Sequence, residues 1–323
     1  MSPTPFISWI GRGAATLSTP GVFTDSTISM FAIEADTTAM QRLADVALNA
    51  AAGNAVRYQT FAPFALLTFA DMARCTSGID AMGWLPGREC AMFVPLLERE
   101  PDNPFHLRFV LWAPYIFIDY AIGMATGREV WGWPKVAAQI DIAPTKSTDT
   151  PFVCNTTYFK TFDPSLPGEI GPLYRIRRLS RSSQPPSNEW QSGVSAARAI
   201  IGDLGGRIGK VVGDLAGQIS QTLGLQPLVP SVCLKQFRDS ATPEHACYSA
   251  IVNSPIRITR FYGGGPLTDT LELEITTCRS HQIVQDLLGR DPDPHTTIVP
   301  IRWAAWVRVD FHALSGSTIV CSH

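Results

Sequence analysis

The chain has 323 residues, 45% of them hydrophobic, and a formal net charge of −2. It is long enough to bury one large core or two small ones, and its near-neutral balance offers no basic surface for nucleic acid. No apolar run reaches the length of a transmembrane helix: 105–125 comes nearest and carries Arg108, Pro114 and Asp119.

In chain order, residues 1–5 lack a basic and an apolar signal region, so no secretory leader is expected. Residues 37–51 place Met40, Leu43, Val46 and Leu48 near helical spacing and predict an amphipathic helix. Short apolar runs follow at 65–69, 91–97, 107–112, 137–142 and 152–158, then at 248–252, 256–262, 271–276 and 303–311. Gly, Pro and Asp separate them, which suits strands joined by turns. Gly263-Gly264-Gly265-Pro266 reads as a hairpin turn, and 281–288 as a short helix. The basic cluster at 175–181, beside Ser/Pro-rich 182–187, reads as a solvated loop.

Residues 187–225 break the strand pattern. Ile201, Leu204, Ile208, Val211, Leu215, Ile219 and Leu223 form a helical stripe that also carries Gly205, Gly209, Gly213 and Gly217, four residues apart. Each helical glycine costs about 1 kcal/mol, which close helix–helix approach can offset. Asp203, Arg207, Lys210 and Asp214 exclude a bilayer span. The stripe can pack on its own domain, join subunits or cover a pocket, and a homo-oligomer is expected.

The seven scattered cysteines (Cys75, Cys90, Cys154, Cys233, Cys247, Cys278, Cys321) read as reduced thiols, which predicts a cytoplasmic location. The six histidines show no metal-binding spacing, and no Gly-x-Ser-x-Gly elbow is present, so neither a metal nor another cofactor is expected.

Chemistry concentrates in 127–135, Gly-Arg-Glu-Val-Trp-Gly-Trp-Pro-Lys. The chain has five lysines (Lys135, Lys146, Lys160, Lys210, Lys235), and it sets Lys135 beside Trp131, Trp133 and Pro134. A dry aromatic pocket favours the neutral amine, a nucleophile toward carbonyls, and arginine cannot play that part. The bland alternative is a lysine that caps a strand with its charge in water.

Gly-Arg-Glu followed six residues later by Pro-Lys resembles the nucleophile motif of the acetoacetate decarboxylase family. Thr76-Ser77-Gly78 followed by Glu89-Cys90-Ala91-Met92-Phe93-Val94-Pro95 is similar to that family's glutamate-bearing block, and 233–275 to its paired C-terminal strands. The resemblance spans 25–160 and 230–312. It implies an α+β, mainly antiparallel fold, in which a cone- or barrel-like sheet encloses a pocket. One domain, 1–323, would carry a helical insertion at about 165–229, because the typical family member is shorter. The resemblance also implies that Lys135 forms a Schiff base with a carbonyl substrate, with Glu89 as the second catalytic residue.

Trp131, Trp133, Val136, Arg128 and Glu129 are the expected surroundings of the pocket, with Arg128 and Glu129 pairing to hold the loop that bears Lys135. Three positions depart from the family: Val136 stands where a second lysine follows the nucleophile, Ser26 where an arginine meets the substrate carboxylate, and Phe69 near a second carboxylate. The expected partner is a small-molecule carbonyl compound, either a small keto acid or, with that arginine gone, a larger and less acidic compound, as in secondary metabolism. The expected activity is that of a carbon–carbon lyase: decarboxylation, aldol chemistry with dehydration, or cyclisation. Two alternatives stand beside it, a pocket enzyme that makes no Schiff base and a binding protein with a relic lysine.

Overall fold

Fifteen strands hydrogen-bond into one sheet in a computed structural model that describes residues 6–7, 16–142, 152–182, 189–205 and 228–322. The first half supplies β1 (Gly21–Glu34), β2 (Arg57–Thr60), β3 (Phe64–Ser77), β4 (Leu85–Glu100), β5 (Asn103–Ile118), β6 (Lys135–Asp141) and β7 (Phe152–Tyr158). The second supplies β8 (Glu169–Ser180), β9 (Leu228–Val229), β10 (Ser231–Arg238), β11 (Ala246–Asn253), β12 (Ile256–Pro266), β13 (Thr270–Thr276), β14 (Thr296–Ala313) and β15 (Ser317–Ser322). Strands β5-β6-β7-β8-β13-β14-β1-β3-β4 lie side by side, and β4 pairs again with β5, so this path closes into a ring. Its pairings are antiparallel except β5 with β6.

Alternate residues of the ring strands fill its middle. Phe31, Leu67, Cys90, Phe117, Cys154, Tyr174 and Leu273 belong to one buried cluster. Because side chains alternate along a strand, Ala91 falls on the opposite face of β4 from Cys90 and Met92 and joins a second cluster with Trp131, Trp133 and Cys233. The fold is therefore α+β and mainly antiparallel, with a ring whose interior is packed. No helix among the described residues is long and apolar enough to cross a membrane.

The helix expected at 37–51 is present, and three other local expectations are corrected. The helix begins as α1 (Thr37–Ala44), capped by Asp36, whose side chain accepts from Ala39 N at 2.6 Å. It widens to a π turn at Asp45–Asn49 before α2 (Ala50–Ala52). The wide turn shifts the helical phase, so Val46 is exposed while Asn49 is buried. There Asn49 exchanges hydrogen bonds with the Tyr58 backbone at 2.7 and 2.9 Å.

Residues 263–266 do not turn. They continue β12, with Gly264 opposite Val307, and a Cβ at Gly264 would stand 2.6 Å from the Trp306 carbonyl oxygen. Glycine is required by close approach to a neighbouring strand.

The basic cluster at 175–181 is strand β8, not a loop. Arg175 and Arg177 reach Glu274, Arg177 also reaches Glu272, and Arg178 binds Asp269 at 2.9 Å. Correspondingly, the expected helical insertion at 165–229 is strand from Glu169 to Ser180 and helix only at α4 (Gly193–Gly205) among its described residues. Trp190 and Ala196 pack on Trp303 and Ala305, and Trp303 Nε1 donates to Asp203 Oδ2 at 3.1 Å. The stripe from Ile208 to Leu223, with Gly209, Gly213 and Gly217, lies outside the described residues.

His281 precedes α5 (Ile283–Leu288), with its ring 5.6 Å from Phe117 and its Nδ1 3.0 Å from Ser280 Oγ. Burial holds its pKa below the ordinary 6.5. The folded chain thus keeps His281 neutral where the unfolded chain binds a proton. This costs no stability above pH 6.5 and progressively more as pH falls through 6.5 toward the folded value. The urea midpoint should accordingly drop more steeply between about pH 7.5 and about pH 5.5 in the parent chain than in His281→Gln.

Candidate active site

The loop that presents Lys135 is shaped by two glycines. Helix α3 (Ala121–Thr126) runs into a π turn at Gly127–Trp131, which Gly132 ends in the left-handed conformation, φ 80°. A side chain at Gly132 would also meet Lys235, 2.7 Å from its Cα. Trp133 N donates to Gly127 O at 3.0 Å, and the chain then enters β6, where Lys135 stands opposite Ile116 of β5 in parallel register. Gly127 faces the lysine stem: a Cβ there would fall 2.5 Å from Lys135 Cδ and 2.7 Å from Cε.

This places the amine in an aromatic wall. Trp131 and Trp133 stack with ring centroids 4.7 Å apart and planes 19° apart, and Trp131 Nε1 donates to Leu314 O at 2.7 Å. Lys135 Nζ lies 4.7 Å from the Trp133 ring centroid and 2.7 Å from Glu89 Oε2. The lysine side chain is 4% exposed, and that of Glu89 is 22% exposed. Glu89 comes from β4, opposite Ala70 and Ile118, so two residues 46 apart in sequence meet across β5. An amine and a carboxylate at this distance can pass one proton between them with little motion.

The remaining expected residues divide. Val136 packs against the ring's core, on the opposite face of β6 from Lys135, because consecutive strand residues point to opposite sides. It does not line the lysine's cavity. Arg128 and Glu129 are exposed, and no ion pair joins them among the described residues. Arg128 Nη1 instead donates to the Lys135 carbonyl at 3.2 Å, so it braces the loop through the backbone.

Phe69 points into the ring's core, 5.4 Å from Phe152 and 6.2 Å from Phe31. Ser26 lies on the site side of β1, opposite Met72, fully buried and with an unpartnered hydroxyl.

A cavity of about 30 Å³ opens at the lysine, walled by Leu17, Ser18, Phe23, Cys75, Thr76, Tyr120, Thr126, Trp131 and Trp133 among others. That is room for no more than a few water molecules, so a carbonyl substrate needs the walls to move. One wall is the segment at Leu17–Ser18. It is held by Leu17 N to Thr126 Oγ1 at 3.0 Å, by Ser18 to the Asp80 carboxylate and by Ser77 Oγ to Ser18 O at 2.9 Å.

Tyr120 and Cys75 also line the cavity, with no signal in the sequence; Cys75 comes from β3, and Tyr120 from the link between β5 and α3. Burial pushes the Cys75 thiol up to about 11 and the Tyr120 phenol above its ordinary value. Cys233 is also pushed up by burial, against the opposing charge of Lys135.

A larger cleft of about 570 Å³ lies between α1–α2 and β10, β11 and β15, but none of the residues lining it is ionisable. No group of three potential metal-ligating side chains occurs among the described residues.

Residues 10–157 match the family model described as acetoacetate decarboxylase. No curated protein matches the chain. Among solved structures, it is similar to acetoacetate decarboxylase from Legionella pneumophila subsp. pneumophila at 13% identity and a TM-score of 0.57, over 94% of this chain and 88% of that one. Another acetoacetate decarboxylase matches at 13% identity and a TM-score of 0.59, over 98% and 96%. The enduracididine biosynthesis enzyme MppR, complexed with the condensation product of pyruvate and imidazole 4-carboxaldehyde, matches at 12% identity and a TM-score of 0.53, over 99% and 98%. At such identities the structural likeness is one of fold.

Proposed function

The chain is an acetoacetate decarboxylase-like superfamily member, and on that premise we propose that Lys135 forms a Schiff base with a carbonyl substrate. The observation that carries this reading is a single buried amine, 2.7 Å from a single carboxylate, opening on an aromatic cavity. Glu89 takes a proton from the ammonium, and the neutral amine adds to the carbonyl carbon. The carbonyl oxygen leaves as water with two of the ammonium's three protons, so an ammonium and a carbonyl give an iminium and water. The iminium then draws in the electron pair released when a β-carboxylate departs or an α-proton is removed. After α-proton removal Glu89 returns that proton to the enamine carbon; after decarboxylation it passes on one taken from water.

Among the described residues lining the cavity Lys135 is the one cation. Once it becomes the iminium, none of those described lining residues offers a further positive charge to a substrate carboxylate. An uncharged ketone or aldehyde therefore suits the site better than a small keto acid. Aldol-type condensation of such an uncharged carbonyl compound, in which no carboxylate takes part, suits it better than decarboxylation of acetoacetate. On this reading the chain is a lyase of secondary metabolism, working without a cofactor.

The rival reading, a binding protein with a relic lysine, draws on the same ion pair, since Glu89 also stabilises the unreactive ammonium. Carbonyl oxygen exchange separates the two. Acetone and pyruvate labelled with ¹⁸O should lose their label to water faster with the parent chain than with Lys135→Ala. Equal rates would remove the Schiff-base reading.

A further inference from the structure

We propose that Tyr120 is the hydrogen-bond donor that meets the carbonyl oxygen of the substrate in the Lys135 cavity, an inference that rests on the Schiff-base reading. Tyr120 precedes α3 in extended conformation and lines the cavity with Lys135. Its ring is clamped between two glycines. A Cβ at Gly87 would stand 2.2 Å from its Cε1; a Cβ at Gly123 would stand 2.3 Å from its Cζ and 2.6 Å from its hydroxyl oxygen. Both β4 and α3 thus leave out a side chain where the tyrosine lies, and the phenol is held by backbone on two sides.

The Cys75 thiol is the phenol's neighbour in the cavity wall. Sulfur is a weak acceptor, so a carbonyl oxygen entering the cavity displaces it without leaving a strong bond unmade. Three other donors around the cavity are committed: Trp131 Nε1 to Leu314 O, Thr76 Oγ1 to Gly83 O and Ser18 Oγ to Asp80. Glu89 holds the lysine's proton as the neutral amine adds and passes it to the departing water, so it does not serve as a fixed donor. Burial keeps both the Tyr120 phenol and the Cys75 thiol protonated near neutral pH.

As the C–N bond forms, the π pair of the carbonyl moves onto oxygen, and a preplaced donor stabilises that growing charge. Tyr120 keeps its proton throughout; the departing water carries the protons of the lysine.

The test follows ¹⁸O exchange from acetone and pyruvate in the parent chain and Tyr120→Phe, with thermal melting of each. The phenylalanine keeps the clamped ring and removes only the donor. Its maximal exchange rate should fall at least about tenfold, with half-saturating substrate concentration and melting temperature little changed.

Should Tyr120→Phe fail to fold, a fluorinated tyrosine at position 120 replaces it. A stronger donor should speed exchange near neutrality and add an alkaline loss as the phenol ionises, which a purely structural ring would not show. Exchange by Tyr120→Phe at the parent rate, or no effect of fluorination, overturns this inference alone. No exchange by the parent chain with either probe overturns the Schiff-base reading and this inference with it.

Discussion

Glu89→Gln is expected to destabilise the fold by about 3 kcal/mol, and Lys135→Met by less than about 1 kcal/mol, although both remove the same ion pair. The asymmetry comes from burial. Lys135 is 4% exposed, so loss of Glu89 strands its ammonium in an aromatic wall, where it must stay unpaired or give up its proton. Glu89 is 22% exposed, so loss of the lysine leaves a carboxylate that water still reaches. Methionine restores much of the stem's apolar contact with Trp133 and carries no charge. The double variant should recover most of the stability lost in Glu89→Gln. Urea denaturation of the four chains measures this, and equal losses in the two single variants would mean that the pair is solvated.

Gly127→Ala should lower the rate of imine formation about a hundredfold while changing stability by no more than about 2 kcal/mol. The added Cβ would occupy space 2.5 Å from Lys135 Cδ and 2.7 Å from Cε, on a stem whose other side is walled by Trp133. The lysine is flexible enough to move, so the chain folds, but it moves off Glu89 and out of line with the cavity. Alanine also gains helical propensity in the turn that follows α3, offsetting part of the strain. The readout is ¹⁸O exchange alongside thermal melting. Parent-like exchange would show that the close contact does not position the amine.

The lysine and its glutamate were legible in the sequence because each sits in a short motif. Their meeting depends on β5 lying between β4 and β6, which no local pattern states. Tyr120 and Cys75 were not legible for the same reason: they lie in unremarkable stretches, and only the tertiary fold brings the α3 cap and β3 to the lysine.

Val136 shows an error that the sequence could have prevented. Two consecutive residues of a strand cannot both face one cavity, so a lysine in the pocket sends its neighbour to the other side. The basic run at 175–181 read as a loop because its acidic partners, Asp269, Glu272 and Glu274, lie on a strand about ninety residues later. The π turn at Asp45–Asn49 left no trace in the apolar spacing either, and it turned Val46 outward. Strand positions were clearer than strand lengths. The run at 152–158 coincides with β7, whereas 65–69 is the start of a strand that continues to Ser77. Beyond Phe69 that strand carries Asp71, Arg74 and Thr76 on positions where apolar residues no longer alternate cleanly.

The central claim is that Lys135 bonds covalently to a carbonyl carbon, and borohydride trapping tests it most directly. The chain is incubated with pyruvate, other keto acids, ketones and aldehydes, reduced, and weighed as intact protein and as peptides. The account predicts a reduced adduct on the peptide containing Lys135, absent from Lys135→Met and weaker in Glu89→Gln. An adduct on other lysines alone, or no adduct from any carbonyl compound, would contradict it.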